Sequence, residues 1–149
     1  MLKLDLKTGY PRSVRDKVLG VFQLGRAIDK GIATANGTEG EYHYNCPMDK
    51  DLFGFLGIDA EALMSTIKKA NSQDEIVAYV KPFVDKKSPA DITAFNEKFL
   101  QHAPKAGTDA EKYFHETLNR IAPKRTDVKT WPDLLDLEEG RNVPEHAHA

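Results

Sequence analysis

The residues most able to do chemistry lie close together near the start of the chain. They are cationic, phenolic, acidic or thiol side chains, namely Tyr10, Arg12, Arg15, Arg26, Asp29, Tyr42, His43, Tyr44, Cys46 and Asp49. A guanidinium group binds a carboxylate or a phosphate through paired hydrogen bonds, and aromatic side chains often line small-molecule sites. This quarter of the sequence therefore predicts the binding of a small polar or anionic molecule.

The predicted ligand site lies between the first helix and the loop of residues 41–49. Arg12 and Arg26 are expected to hold the charge of the ligand. The other predicted contacts are three phenols and an imidazole, namely Tyr10, Tyr42, His43 and Tyr44. A structural alternative stays open, because a half-buried arginine needs a partner. In that alternative Arg26 pairs with Asp29 or Asp49 and fixes the loop to the helix.

A second alternative is an enzyme whose catalytic candidates are His43, Cys46 and Asp49. A cysteine at the start of a helix lies at the positive end of the helix dipole, which favours the thiolate. His43 lies three residues earlier and would act as its base. Against this, Asp49 and Asp51 add negative charge to the same turn, and a free cysteine is commonly a small buried side chain. A third alternative is a helical protein-interaction module without a pocket.

The remaining motifs do not indicate a metal or a cofactor. His115 and Glu116 begin like the zinc-protease helix motif, but Asn119 stands where the second histidine must be. Cys46 is the one cysteine of the chain, so a zinc site built from several cysteines is excluded. We predict neither a cofactor nor a metal site.

Composition and charge restrict the class of partner. The chain has 149 residues and a formal net charge of -2, whereas a nucleic-acid-binding protein usually carries a basic surplus. No segment approaches the ~18 uninterrupted apolar residues of a membrane span. Residues 1–8 alternate charge with leucine and do not read as a secretory signal. We therefore expect a cytoplasmic protein that binds neither nucleic acid nor membrane; the sequence does not specify its oligomeric state.

Helix-start and helix-stop signals define the elements that must position these residues. Ser13 followed by Asp16 resembles a capping box, and apolar residues at helical spacing continue to Ile32. On such a helix Arg15 and Arg26 would share one side, because eleven residues make just over three whole turns. Six further start signals lie at Cys46, Asp59, Ser72, Ser88, Thr108 and Thr130. The helix after Ser72 is expected to end before Pro82.

These signals predict an all-α protein of about seven helices. The alternation within residues 41–45 predicts one short extended segment between the first two helices. Because the linkers are short, no domain boundary is indicated. We predict a single compact domain over residues 1–140 and a flexible tail over residues 141–149.

Several stretches also carry a resemblance that covers nearly the whole chain. They include YPRSVRDKVLG at 10–20, RAIDK at 26–30, GEYHYNCPMD at 40–49, FLGID at 55–59, SPADITAFN at 88–96 and RTDVKTWPDLLD at 125–136. These stretches resemble a bacterial family of about this length that is described only as a domain of unknown function. The resemblance implies a cytosolic bacterial protein, and it supplies no catalytic residue, cofactor or partner.

Overall fold

The computed structural model describes residues 1–146, and seven α-helices lie within that range. They are α1 (Leu24–Asn36), α2 (Pro47–Leu56), α3 (Ala60–Lys69), α4 (Gln73–Asp85), α5 (Pro89–Phe99), α6 (Asp109–Ile121) and α7 (Trp131–Glu138). No strand occurs among residues 1–146, which confirms the all-α class. Over the same residues, no helix is both long and apolar enough to cross a membrane.

The first helix begins at Leu24, eleven residues after Ser13, so its predicted start is wrong. The capping signal itself is real, because the Ser13 N–H donates to Asp16 Oδ2 at 2.9 Å. Such local hydrogen bonds involve the backbone groups of one turn only. Val18 and Val21 then exchange backbone hydrogen bonds of 3.3 and 3.0 Å, and this tight turn replaces the helix.

The early turn changes the position of the residues before α1. Because Arg15 is not on the helix, its predicted alignment with Arg26 is wrong. Val14 and Val21 are fully buried, and β-branched side chains lose χ1 freedom in a helix. The apolar spacing of this segment therefore reflects packing of a folded-back chain rather than one continuous helical stripe.

Most other helix starts match their local signals. The side chain of Asp59 accepts the N–H groups of Glu61 and Ala62 at 2.8 and 3.2 Å, which confirms it as an N-cap. Ser72 and Thr108 accept an N–H group in the same manner. These helices therefore begin where their side chains supply acceptors for the first backbone N–H groups.

Two local predictions near these helices are wrong. Helix α4 continues through Pro82 to Asp85, because Val80 and Val84 are buried on either side of the proline. Their packing outweighs the backbone hydrogen bond that proline removes. Residues 41–45 contain turns instead of an extended segment, and Asn45 has a positive φ of 61°.

The chain divides into two compact units, Met1–Asn96 and the residues from Glu97 onward. The core of the first unit is apolar and draws mainly on helices α1 to α4, with members that include Leu24, Ile28, Ile32, Leu63, Ile67 and Val80. The smaller core of the second unit contains Phe114, Leu118, Val128 and Leu134. The single domain over 1–140 and the flexible tail over 141–149 stay predictions, and residues 147–149 lie outside the described range.

Candidate functional site

Helix α1 places three charged side chains in the interior of the first unit. Arg26, Asp29 and Lys30 are 2%, 5% and 3% exposed, respectively. Residues three and four apart share one side of a helix, so these groups form a single buried charged face. A buried charge is costly unless it is paired and hydrogen-bonded. Each of these three side chains therefore needs a hydrogen-bonding or charged partner inside the protein.

Asp29 pairs with Arg12, which folds back over α1 from the preceding segment. The Arg12 guanidinium donates from Nε to Oδ2 and from Nη2 to Oδ1, each at 3.0 Å, and the Arg12 N–H donates to Oδ2 at 2.8 Å. Arg12 Nη2 also reaches Gln73 Oε1 at 3.0 Å. A Cβ at Gly25 would lie 3.0 Å from Arg12 Nε, so the glycine allows the guanidinium to lie close to the helix.

Arg26 contacts the segment before α1 and the 41–49 loop. Its Nη1 donates to the carbonyl oxygen of Arg12 at 3.2 Å, and its Cζ lies 5.5 Å from the ring centroid of Tyr42. Such a contact between a cation and an aromatic face is favourable. Asp29 pairs with Arg12, and Asp49 pairs with Lys30. The pairing of Arg26 with either carboxylate stays a prediction.

Lys30 pairs with Asp49 and joins α1 to the start of α2. Its Nζ lies 2.8 Å from Asp49 Oδ2 and donates to Cys46 Sγ at 3.3 Å. Asp49 also accepts the Gln23 amide at 2.8 Å and the Asn45 N–H at 3.0 Å. Cys46 is the N-cap residue, as predicted, but its side chain makes no cap hydrogen bond. Lys30 was not among the predicted site residues, although its place four residues after Arg26 indicates the same side of the helix.

Tyr44 is a structural side chain on one face and borders open space on another. Its hydroxyl donates to the Ala60 carbonyl oxygen at 2.7 Å, and a Cβ at Gly31 would lie 3.2 Å from its ring. Burial, followed by the nearby charges of Asp49 and Asp59, raises the pKa of Tyr44 far above its usual value. The phenol therefore stays protonated and acts as a hydrogen-bond donor.

The remaining predicted site residues lie on the surface. His43 is exposed and makes no hydrogen bond to another residue of the described range, so Lys30 rather than His43 contacts the Cys46 sulfur. Tyr10 is 60% exposed. Within residues 1–146, no three His, Cys, Asp or Glu side chains are arranged to hold a metal ion.

A cavity of about 340 Å³ opens where the 41–49 loop meets α3. Its lining combines an aromatic ring, small polar groups and two opposite charges, namely Tyr44, Asn45, Ala60, Glu61, Met64, Ser65 and Lys68. Glu61 and Lys68 are seven residues apart, which is about 10 Å along the axis of a helix. Neither forms an ion pair with a described residue, so both charges are available to a ligand.

Residues 8–141 match the family model of a domain of unknown function, DUF5069. The chain belongs to the DUF5069 family. This membership confirms the resemblance seen in the sequence, and no curated protein matches the chain. The matched range of this DUF5069 protein includes the buried charged face, the 41–49 loop and the cavity beside it.

The predicted site residues of the DUF5069 protein therefore fall into three groups. Arg26 contacts both Arg12 and Tyr42 beside α1. Cys46 and Asp49 both contact Lys30. The last group comprises Tyr44, which borders the cavity, and the two surface residues Tyr10 and His43.

Proposed function

We propose that this DUF5069 protein binds a small polar molecule against the 41–49 loop. The observation that supports the proposal is the cavity on the α3 side of the loop, with its unpaired Glu61 and Lys68. The α1 side, where the sequence predicted the ligand, is occupied by contacts of Lys30 and Tyr44. The proposal therefore assigns the anionic group of the ligand to Lys68 instead of Arg12 and Arg26.

The size and lining of the cavity favour a small ligand. Its volume of about 340 Å³ lies at the lower end of the range for small-molecule sites, which is about 300–1,000 Å³. Lys68 would bind a carboxylate or phosphate group, and Glu61 would accept hydrogen bonds from an amine or hydroxyl group. Asn45 and Ser65 would supply further hydrogen bonds at the wall.

The wall formed by the loop is held in place before any ligand arrives. The Asn45 N–H donates to the buried Asp49 carboxylate, which Lys30 also binds. The Tyr44 hydroxyl fixes the same loop to Ala60. A preformed wall lowers the entropy that binding must overcome. In this proposal the buried charged face supports the wall of the site without touching the ligand.

The test compares two neighbouring lysines in the last turn of α3. Dicarboxylates, amino acids and sugar phosphates are screened for an increase in the melting temperature of the protein, and the dissociation constants of the compounds found are measured by calorimetry. Lys68→Gln should weaken binding about twofold to fivefold, the range of an exposed ion pair. Lys69→Gln, which does not line the cavity, should bind as the unmodified protein does. Equal weakening in both variants, or no binding by any acid, would refute the proposal.

A second candidate function is transfer of an acyl group to Cys46. The observation that favours it is the chain of contacts from Cys46 Sγ to Lys30 Nζ at 3.3 Å and from Nζ to Asp49 Oδ2 at 2.8 Å. A nucleophile beside a cation that an acidic residue holds in place is an arrangement found around reactive cysteines. In this candidate the neighbour of the thiol is the cation of Lys30 and not the predicted base His43.

The second candidate is tested with p-nitrophenyl acetate. It requires a burst of p-nitrophenol and an acetyl group on Cys46 in the intact-protein mass spectrum. Both signals should disappear in Cys46→Ser and persist in His43→Gln. A burst that survives Cys46→Ser would exclude this candidate.

The third alternative, a protein-interaction module, is not favoured, because such a module is expected to carry an exposed apolar face. In the described residues, the exposed large apolar side chains belong to separate segments, namely Met1, Tyr10 and Tyr113.

A further inference from the structure

The second unit contains a larger cavity, of about 550 Å³, between the end of α6 and the loop of residues 123–129. Its floor is apolar, since it includes Leu118 and Val128, which are buried core residues. Its rim carries hydrogen-bonding side chains from both walls, namely His115, Asn119, Thr126 and Lys129. An apolar floor with a few polar groups at the edge is typical of a site for a small molecule.

The loop that forms one wall of this cavity is held by Arg125. Its Nε and Nη2 bind the two oxygens of Asp127 at 2.9 Å each, and its Nη1 donates to the Val143 carbonyl oxygen at 2.8 Å. The His146 N–H donates to Asp127 Oδ2 at 2.9 Å. Hydrogen bonds from Arg125 and then His146 lower the pKa of Asp127 far below its usual value, so the pair is charged at neutral pH and the wall is preformed.

One of the charged side chains around the cavity, Lys129, has no partner of opposite charge in the described range. Arg125 is matched by Asp127, and on the α6 wall Glu116 lies 4.0 Å from Lys112. Lys129 forms no ion pair with any residue of the described range. The free positive charge of the cavity therefore lies on the loop wall, which also carries Thr126.

We infer that this cavity is a second ligand site, which takes an anionic molecule with an apolar body. The carboxylate or phosphate group lies against Lys129 and Thr126, and the apolar body covers Leu118 and Val128. Asn119 on α6 bounds the body from the other wall. Because no residue of this cavity lines the cavity beside the 41–49 loop, the inference does not depend on the proposed function.

The experiment is an NMR titration of the full chain with phenyl phosphate, in which backbone amide shifts report the site. Amides of α6 and of residues 123–129 should move, with a dissociation constant on the order of 1 mM for a ligand of this size. Phenol and inorganic phosphate, which each lack one half of the ligand, should bind more weakly. Shifts that are absent, that lie elsewhere, or that inorganic phosphate reproduces would overturn the inference.

Two kinds of variant test the positive charge of Lys129 and the volume of the cavity separately. Lys129→Gln should weaken binding of phenyl phosphate about twofold to fivefold, and Lys124→Gln, an exposed lysine of the same loop outside the lining, should not. Asn119→Trp should abolish binding by filling the cavity. Asn119 is exposed and makes no hydrogen bond through its side chain to a described residue, so the fold should be retained. Binding that survives Asn119→Trp, or equal weakening by both lysine variants, would contradict the site.

Discussion

Replacing Lys30 with methionine removes the cation from a buried pair and leaves the carboxylate of Asp49, which is 0% exposed, without its charged partner. Methionine has a similar length and fills the same space, so the main effect is electrostatic. Asp49 would keep only the hydrogen bonds from Gln23 and Asn45. Breaking a buried pair in this manner typically costs about 3–5 kcal/mol. We expect Lys30→Met to lower the free energy of unfolding by that amount.

The assay is urea denaturation at pH 7, with an exposed ion pair as the matched control. Lys81 and Asp85 lie 2.7 Å apart, almost the distance of the buried pair, but their side chains are 57% and 59% exposed. Lys81→Met should therefore change the free energy of unfolding by less than about 1 kcal/mol. The two substitutions differ mainly in burial, so their comparison isolates the desolvation of the charge.

A second substitution tests the reason for the effect. Asp49→Asn in the Lys30→Met background removes the uncompensated negative charge and keeps an oxygen that accepts hydrogen bonds. The double variant should be more stable than Lys30→Met alone, because no buried charge is left without its partner. If Lys30→Met unfolds within about 1 kcal/mol of the unmodified protein, or if Asp49→Asn makes it still less stable, the electrostatic argument is wrong.

Three further predictions concern single sites. Arg12→Lys should cost about 1–3 kcal/mol in urea denaturation, because a lysine cannot reproduce the paired hydrogen bonds to a buried carboxylate; an unchanged midpoint would contradict this. Gly31→Ala should be destabilising by about 1–3 kcal/mol, since the new methyl group would lie 2.6 Å from the Ile67 side chain. By contrast, a methyl group at Gly54 would have no atom within 4 Å, so Gly54→Ala should stabilise α2 by about 0.5–1 kcal/mol. The pKa of Asp127 is lowered in the folded protein, so its contribution to stability should be present above the unfolded pKa of about 3.9 and lost as the pH falls towards the folded pKa. The difference in free energy of unfolding between the unmodified protein and Asp127→Asn should therefore shrink below about pH 4; a constant difference would exclude this linkage.

The helix starts that the sequence predicted well depend on chemistry within one turn. Asp59, Ser72 and Thr108 each accept N–H groups two or three residues ahead, so the sequence contains the whole interaction. The predicted start of α1 was wrong for the same reason. The hydrogen bonds of Ser13 and Asp16 are local and correct, but they do not determine whether the chain continues as a helix after one turn.

The sequence indicated the region that holds the buried charged side chains but not how those side chains pair. Asp29 and Arg12 are seventeen residues apart, and Lys30 and Asp49 are nineteen apart. Which cation reaches which carboxylate depends on how the chain folds back over α1, and helical spacing carries no such information. The cavity beside Tyr44 was missed because its charged residues, Glu61 and Lys68, read as an ordinary solvated helix face.

The two carboxylates buried against α1 also determine how slowly certain backbone amides exchange with solvent. The N–H groups of Arg12 and Asn45 lie outside any helix, but each donates to a buried carboxylate, Asp29 or Asp49. An amide hydrogen exchanges only when its hydrogen bond opens. For these two amides that opening exposes a paired, buried charge, so hydrogen exchange at both positions should be as slow as in the core of α1. The irregular segments around them would then open with the helix in one cooperative event and would not fray as separate loops.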